Sequence, residues 1–434
     1  MRVTFYTLGC KLNQAETESL VGQFSRSGFQ IVSPNEVADI YVANTCTVTH
    51  IADRKSRHWL RLARRRNPRA LVIATGCYAQ RSREELLDLA DLVVDNREKE
   101  RLLDLVQALR AEDGRADEGE PKQSRVLAGY VRTRSLIKIQ DGCHGPCTYC
   151  IVPTVRPHEY SLAASQIIDE VRHKVALGYR EVVLTGTRVG SYRDDGTNIK
   201  GLIQLILDDT GIKRLRLSSL QPSEVSSELL ALWQDKRLCP HFHLALQSGS
   251  DGVLQRMKRS YSSDQYQRAM DLIKDTIPEA AITTDIMVGF PGETDQEFEQ
   301  SYCFCQRAGF ANIHVFPFSS RPNTVGGRMP NQVKHQTKQR RNQQMLELSR
   351  NSRGRYCEQF LGQTMPVLWE QETSPGSGIY SGLTSNYIRV FARSERYLNN
   401  EITPVKFVGL RNHGMWGELA RRLEIINLDA QNES

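Results

Sequence analysis

Residues 136–153 read LIKIQDGCHGPCTYCIVP. A short apolar run, Leu136–Gln140, ends at Gly142, and Cys143, Cys147 and Cys150 follow in a C-x3-C-x2-C spacing. One tight loop just past an expected strand therefore carries three thiols. Three thiolates hold three irons of a [4Fe–4S] cluster and leave the fourth iron open to an outside ligand. A structural zinc would need a fourth protein ligand, for which His144 or His158 would have to serve.

Downstream, strand-like runs recur at Glu181–Leu184, Arg214–Ser218, Phe242–Leu246, Ala281–Met287 and Asn312–Phe316, with helical stretches such as Ala164–Leu177 and Ser262–Lys274 between them. With Leu136–Gln140 this makes six β/α units, enough for a partial barrel. Upstream, Val3–Thr7, Ile40–Asn44, Leu71–Thr75 and Leu92–Asp95 alternate with helical stretches at Gln14–Ser27, Ile51–Arg66, Arg83–Leu89 and Glu98–Leu109. That rhythm implies an open parallel sheet flanked by helices. Residues 111–125 lack apolar anchors and read as a linker. After a polar helix at Gln336–Ser349, short β-rich runs (Met365–Trp369, Tyr387–Ala392, Ile402–Val408, Trp416–Leu419) fit a small barrel. The chain is thus α/β, with expected domains at 1–125, 126–355 and 356–434.

Cys10, Cys46 and Cys77 each end an expected parallel strand: TFYTLGC, YVANTC and VIATGC. Ligand sites of open α/β sheets lie beyond the carboxyl ends of the strands, so these distant thiols can meet as a second trio. Asn13 and Glu16, just past Cys10, are candidates to pack around it. Cys239, Cys303, Cys305 and Cys357 have no such placement and read as packing residues.

The 434 residues carry 57 Lys and Arg against 50 Asp and Glu, a formal charge of +7. The surplus is local. Eight cations and no carboxylate fall between Arg54 and Arg69, among them Arg54, Arg61, Arg64, Arg65 and Arg66, and seven stand against Glu347 alone between Lys334 and Arg355. Such clusters suit a phosphate backbone. No apolar run approaches the ~20 residues of a membrane helix. The N-terminus turns polar too early for a signal peptide, so a cytoplasmic location with reduced thiols is expected.

The cysteine loop with its IVP tail resembles the signature of radical S-adenosylmethionine (SAM) enzymes. The resemblance implies that the open iron binds SAM, that Tyr149 lies by its adenine, and that the Gly289-Phe290-Pro291-Gly292-Glu293 loop receives its methionine moiety. Together with the N-terminal cysteines and the TRAM-like YSGLTSNYIRV segment, the whole chain resembles the radical SAM methylthiotransferase family. Two [4Fe–4S] clusters and SAM are the implied cofactors: Cys143, Cys147 and Cys150 for radical generation, and Cys10, Cys46 and Cys77 for sulfur delivery.

The opening TLGCKLNQAETESL is similar to the branch that modifies N6-threonylcarbamoyladenosine in tRNA next to the anticodon. The implied partners are that tRNA and a flavodoxin- or ferredoxin-like electron donor, with no membrane. Gln247, Ser248 and Asp285, at barrel strand ends, are further SAM- or nucleoside-pocket candidates. Asn386 and Tyr387 of the terminal barrel join the basic helix as RNA-binding candidates. Alternatives are methylthiolation of isopentenyladenosine or of a ribosomal protein, and a non-enzymatic iron–sulfur redox sensor that binds RNA. The sequence departs from the family pattern at Thr154-Val155-Arg156-Pro157, at Asn323 and at Gly326-Gly327.

Overall fold

The computed structural model describes residues 1–112, 133–411 and 413–420. Residues 113–132, most of the expected linker, and the tail from 421 lie outside the described residues. The helix Leu102–Glu112 runs into the first two linker positions.

The N-terminal sheet is five-stranded and wholly parallel, in the order Gln30–Ile31, Arg2–Thr7, Ile40–Thr45, Leu71–Gly76, Leu92–Val93. The two-residue strand at Gln30 escaped the sequence reading because so short a run has no periodicity. Both faces of the sheet are covered by helices. Phe5, Val42 and Ile73 pack with Leu20 and Phe24 on one side, while Tyr41, Ala43 and Val72 meet Trp59 and Leu60 on the other. A sheet buried on both faces explains the near-continuous apolar strands.

All six expected units of the central domain are present. Strands Arg134–Lys138, Glu181–Thr185 and Arg214–Leu217 form one parallel sheet. His241–Leu244, Ala281–Val288 and Asn312–Pro317 lie in a second, with the short Ser219–Leu220 at its edge. A bridge between Leu215 and Leu238 carries the first sheet towards the second. Strand residues alternate between two environments, as a period of two requires. Ile137, Val182, Leu184, Leu215, Leu217, Phe242, Leu244 and Ile282 pack outward in one large apolar core with the surrounding helices. Their neighbours face a polar lumen. The helix Lys11–Arg26 closes part of that lumen, where Ala15 meets Leu136 and Val183.

The C-terminal barrel is closed, in the order Thr364–Glu372, Ile379–Thr384, Arg389–Arg393, Gly414–Leu419, Ile402–Arg411. The polar helix is longer than expected, His335–Glu358. Three of the seven cations in this run brace the fold: Arg341 is buried on Glu293 at 2.7 Å, Lys338 donates to the Phe318 carbonyl, and Arg353 donates to Asn312. The second basic run is thus part structural glue, while Lys334, Arg340, Arg350 and Arg355 are exposed.

Candidate functional site

Gly142 sets the cysteine loop. Its φ is +74°, and a Cβ there would lie 1.9 Å from the His158 carbonyl oxygen. The chain therefore turns sharply out of the strand, and the three thiols stand half-buried at the barrel mouth. The amide of Gly145 donates to Cys143 Sγ at 3.2 Å and that of Val152 to Cys150 Sγ at 3.4 Å. Arg259 donates to Cys147 Sγ and to Tyr149 Oη, both at 3.3 Å. Burial still pushes the Cys150 thiol up to about 12. Amide donors and a cation favour the thiolate form, while burial opposes it, so this loop suits a bound cationic centre. Neither histidine closes a zinc site in this geometry: His144 Nε2 lies 2.7 Å from the Pro157 carbonyl, and the His158 ring faces Arg97.

The second trio meets as expected. Cys46 and Cys77 directly follow Thr45 and Gly76, which are register partners on neighbouring strands. Cys10 caps the helix Lys11–Arg26 and Cys77 opens the helix Cys77–Arg81. Two left-handed glycines make room: a Cβ on Gly9 would lie 2.9 Å from Cys46 Sγ, and one on Gly76 would lie 2.4 Å from the Thr45 carbonyl. Burial drives Cys46 up to about 12, and Cys10 is raised by its surroundings and by Cys77. Cys10 is nonetheless open to solvent, as a thiol lining a recess is. Among the described residues no three His, Cys, Asp or Glu side chains close on a single metal ion. Thiolates of one zinc stand about 3.8 Å apart, as tetrahedral bonds of 2.3 Å require. Ligands to separate irons of a cube need no such crowding.

Asn13 lies among these thiols. It is buried, donates to the Leu8 and Thr45 carbonyls, and sets Oδ1 4.0 Å from Cys77 Sγ. The same oxygen accepts from Arg156 at 2.9 Å. Arg156 also reaches Glu16 and Asp141, each at 2.7 Å. Burial raises the Glu16 carboxyl, but Lys99 and Arg156 overcome that and hold it far below the ordinary range. The Arg156-Pro157 departure is thus a buried ionic clasp between the N-terminal helix and the cysteine loop. Replacing Arg156 with Met would leave Glu16 to Lys99 and Asp141 to Lys138, and the loss of the charged hydrogen bonds is expected to cost about 1.5–3 kcal/mol, measured by denaturant unfolding. A second clasp joins Arg321 to Asp53 at 2.5 Å and to Thr47 at 2.9 Å. Asn323 has φ +66°, a left-handed conformation that asparagine tolerates in place of glycine.

Across the barrel mouth, the GFPGE loop follows the strand Ala281–Val288. Gly289 and Gly292 both have φ +73°. Glu293 is held by the Gly289 amide at 2.6 Å and by Arg341 at 2.7 Å. Thr294 then starts the helix Asp295–Ala308 with a reciprocal capping pair to Glu297. Phe290 packs on Phe318 beside Tyr149 and Met257.

Residues 2–95 match the uncharacterized protein family UPF0004, and residues 137–305 match the Radical SAM superfamily. The threonylcarbamoyladenosine tRNA methylthiotransferase MtaB of Bacillus subtilis is 34% identical over 94% of this chain and 93% of its own. That of Aquifex aeolicus is 36% identical over 90% and 96%. The chain belongs to the radical SAM methylthiotransferase family. A tRNA-2-methylthio-N(6)-dimethylallyladenosine synthase of Syntrophotalea carbinolica is 33% identical over 88% and 92%. In fold, the chain resembles the radical SAM methyltransferase TsrM of Kitasatospora setae, with a TM-score of 0.56 and 15% identity over 75% of each chain.

Methylthiotransferases use SAM and carry two [4Fe–4S] clusters. The two trios fit that pair: each offers three thiols with amide or cationic partners and, among the described residues, no fourth protein ligand. Gln247 has φ +69° and is tied by its backbone to Asp285 and Met287. Asp285 lies 3.3 Å from His243. Ser248 is buried on Ser301 at 2.9 Å. Arg54, Arg61 and Arg65 are exposed on the helix His50–Arg66, whereas Arg64 is tied to Asp91 and Arg66 to the Pro34 carbonyl. Asn386 is wholly buried, bonded to Thr384, and Tyr387 stacks on His241 at 4.2 Å. Both point into the barrel interface, away from an outer RNA surface. Arg259 was missed, although it lies in the conspicuous RMKRSY stretch; only its fold-back onto Cys147 shows its use. Cys239, Cys305 and Cys357 are buried packing residues, and Cys303 bonds Glu299.

Proposed function

We propose that this protein replaces the C2 hydrogen of N6-threonylcarbamoyladenosine, beside the anticodon of tRNA, with a methylthio group. The observation that carries this reading is the pair of three-thiol sites, joined by Arg156, in a chain that matches the MtaB relatives almost end to end. No side chain can usefully deprotonate the C2 carbon. When bound, SAM and the two clusters supply hydrogen abstraction and sulfur. Cys143, Cys147 and Cys150 hold the cluster that binds SAM, and Arg259 offsets charge beside it. Tyr149 and the Gly289–Glu293 loop orient SAM, with Gln247 and Asp285 on the same mouth. Cys10, Cys46 and Cys77 hold the sulfur-delivering cluster. Asn13 and Arg156 would tie the two cysteine sites to each other.

The partners are a threonylcarbamoyladenosine-bearing tRNA and a low-potential donor of the flavodoxin or ferredoxin kind, both in the cytoplasm. Incubation of anaerobically reconstituted protein with SAM, reductant and such a tRNA should yield the 2-methylthio nucleoside by mass spectrometry. Product only from dimethylallyl- or isopentenyladenosine tRNA, or from ribosomal protein, would overturn the substrate. Clusters and RNA affinity without SAM cleavage would indicate a sensor.

Arg54, Arg61 and Arg65 recur on one side of the helix His50–Arg66 and are free to meet phosphates. Reversing all three to Glu is expected to weaken tRNA binding and flatten its salt dependence by about three counterions. The same change at Arg64 and Arg66 should mainly lower stability. Filter binding at several salt concentrations separates the two.

A further inference from the structure

Where the central and terminal barrels meet, a cleft of about 220 Å³ opens to solvent. Its walls come from the strands Ala281–Val288 and Asn312–Pro317, the last turns of the helix His335–Glu358 and the terminal barrel. Two arginines (Arg353, Arg389), two histidines (His314, His413) and two tyrosines (Tyr356, Tyr387) line it, and among the described residues no Asp or Glu does. Arg353 is half-buried there, and among the described residues its guanidinium has one partner, the neutral Asn312 side chain. Arg389 shares Glu370 with Arg134. A partly buried cation without its own anion is costly, so the cleft suits a ligand that brings negative charge. The Tyr387 ring is already engaged, stacked on His241 at 4.2 Å with the Arg216 guanidinium 5.1 Å away. The His314 and His413 rings are exposed.

The same residue types continue onto the outside of the terminal barrel. Val390, Ala392 and Met415 fill that barrel's core, so their strand neighbours Phe391 and Trp416 face outward. Phe391 and Trp416 are register partners, and the Arg411 guanidinium lies 4.5 Å from the Trp416 ring and 5.4 Å from the Phe391 ring. Arg389 precedes Phe391 on the same side of its strand, and His413 sits in the turn between Arg411 and Trp416. Cations and flat rings therefore lead from the outer face to the rim of the cleft. That combination grips unpaired RNA, whose bases stack on rings and guanidinium planes while cations take the phosphates.

We infer that this cleft binds an unpaired nucleotide next to the target adenosine, with its phosphate on Arg353 and its base against His314, an inference that rests on the RNA substrate proposed above. The reacting base itself belongs elsewhere. The Gly289–Glu293 loop stands at the barrel mouth, whereas Thr283, in the cleft wall, lies about 16 Å below Val288 on the same strand, at a rise of about 3.3 Å per residue. His314 connects the two levels, since its register partner is Asp285, further up the lumen. A nucleotide seated in the cleft therefore sets how deep its neighbour can reach into the barrel.

The test uses the full-length reconstituted protein and anticodon stem-loop RNAs that carry N6-threonylcarbamoyladenosine, either intact or with the base removed from one nearby loop nucleotide on either side of it. With the wild type, one of these abasic RNAs should bind about five- to a hundredfold more weakly than the intact loop, the range for loss of one stacked base. His314→Ala should bind the intact and that abasic RNA alike. Arg353→Gln should lower the slope of log affinity against log salt by about 0.7, as loss of one single-strand phosphate contact requires. A neutral methylphosphonate beside the same nucleotide should have that effect on the wild type with the protein unchanged. An abasic penalty that His314→Ala keeps in full, with a salt slope that neither Arg353→Gln nor the methylphosphonate lowers, would overturn the inference. So would a wild type that binds every abasic RNA like the intact one yet methylthiolates the threonylcarbamoyl tRNA, which leaves the proposed function standing. A wild type that does not modify that tRNA at all removes the proposed function, and the occupant of the cleft with it.

Discussion

Cys147→Ala is expected to reduce deoxyadenosine formation from SAM to background. Cys147 is the thiol that Arg259 approaches at 3.3 Å, in the middle of a loop with no spare ligand. His144 and His158 are engaged with Pro157 and Arg97, so neither stands ready to replace it. Two remaining thiols cannot hold three irons. The loop fold should survive, because Thr148, the next residue, is pinned by its hydroxyl to the Arg256 carbonyl and by its amide to that of Met257. Methylthiolation should disappear together with SAM cleavage. Cys303→Ala, on an outer helix face, serves as the control and should behave as wild type. Chromatographic quantitation of deoxyadenosine in anaerobic assays reads the result.

Cys46→Ala should separate the two activities. SAM cleavage should continue, since nothing in the Cys143–Cys150 loop depends on the Cys46 side chain, while the methylthio product vanishes. Cys46 sits where Gly9 must remain without a side chain, and alanine is smaller than cysteine, so the strand end should accept it. The expected signature is deoxyadenosine formed without methylthiolated nucleoside, both measured in one reaction. Loss of both activities would mean that the N-terminal trio serves radical generation, against the division of labour argued here.

The fold was legible wherever periodicity and length were long enough. Six barrel strands and four N-terminal strands stand where alternation or apolar runs placed them. Among the missed strands, Gln30–Ile31 and Ser219–Leu220 are too short, and Ile379–Thr384 too rich in Ser, Gly and Thr, to carry an apolar signal. The meeting of Cys10, Cys46 and Cys77 was readable because strand ends of a parallel sheet share one edge.

Charge was read less well. Arg64, Arg66 and Arg341 look the same in sequence as Arg54 and Arg65. Only tertiary partners reveal that the first three are satisfied internally. Arg156 stood out only as a departure from a pattern, and its clasp on Asn13 and Glu16 joins residues more than a hundred positions apart. Long-range ionic pairing leaves no local mark. The polar lumen was hidden for the same reason: Arg214 and Arg216 alternate with leucines as any half-exposed strand would.

Iron and acid-labile sulfide per chain, measured after anaerobic reconstitution, test the central claim most directly. Two cubes on two thiolate trios require about eight irons in the wild type and about four when Cys10, Cys46 and Cys77 are all replaced by alanine. A wild type that saturates at about four, or a triple variant that still holds about eight, would contradict the account.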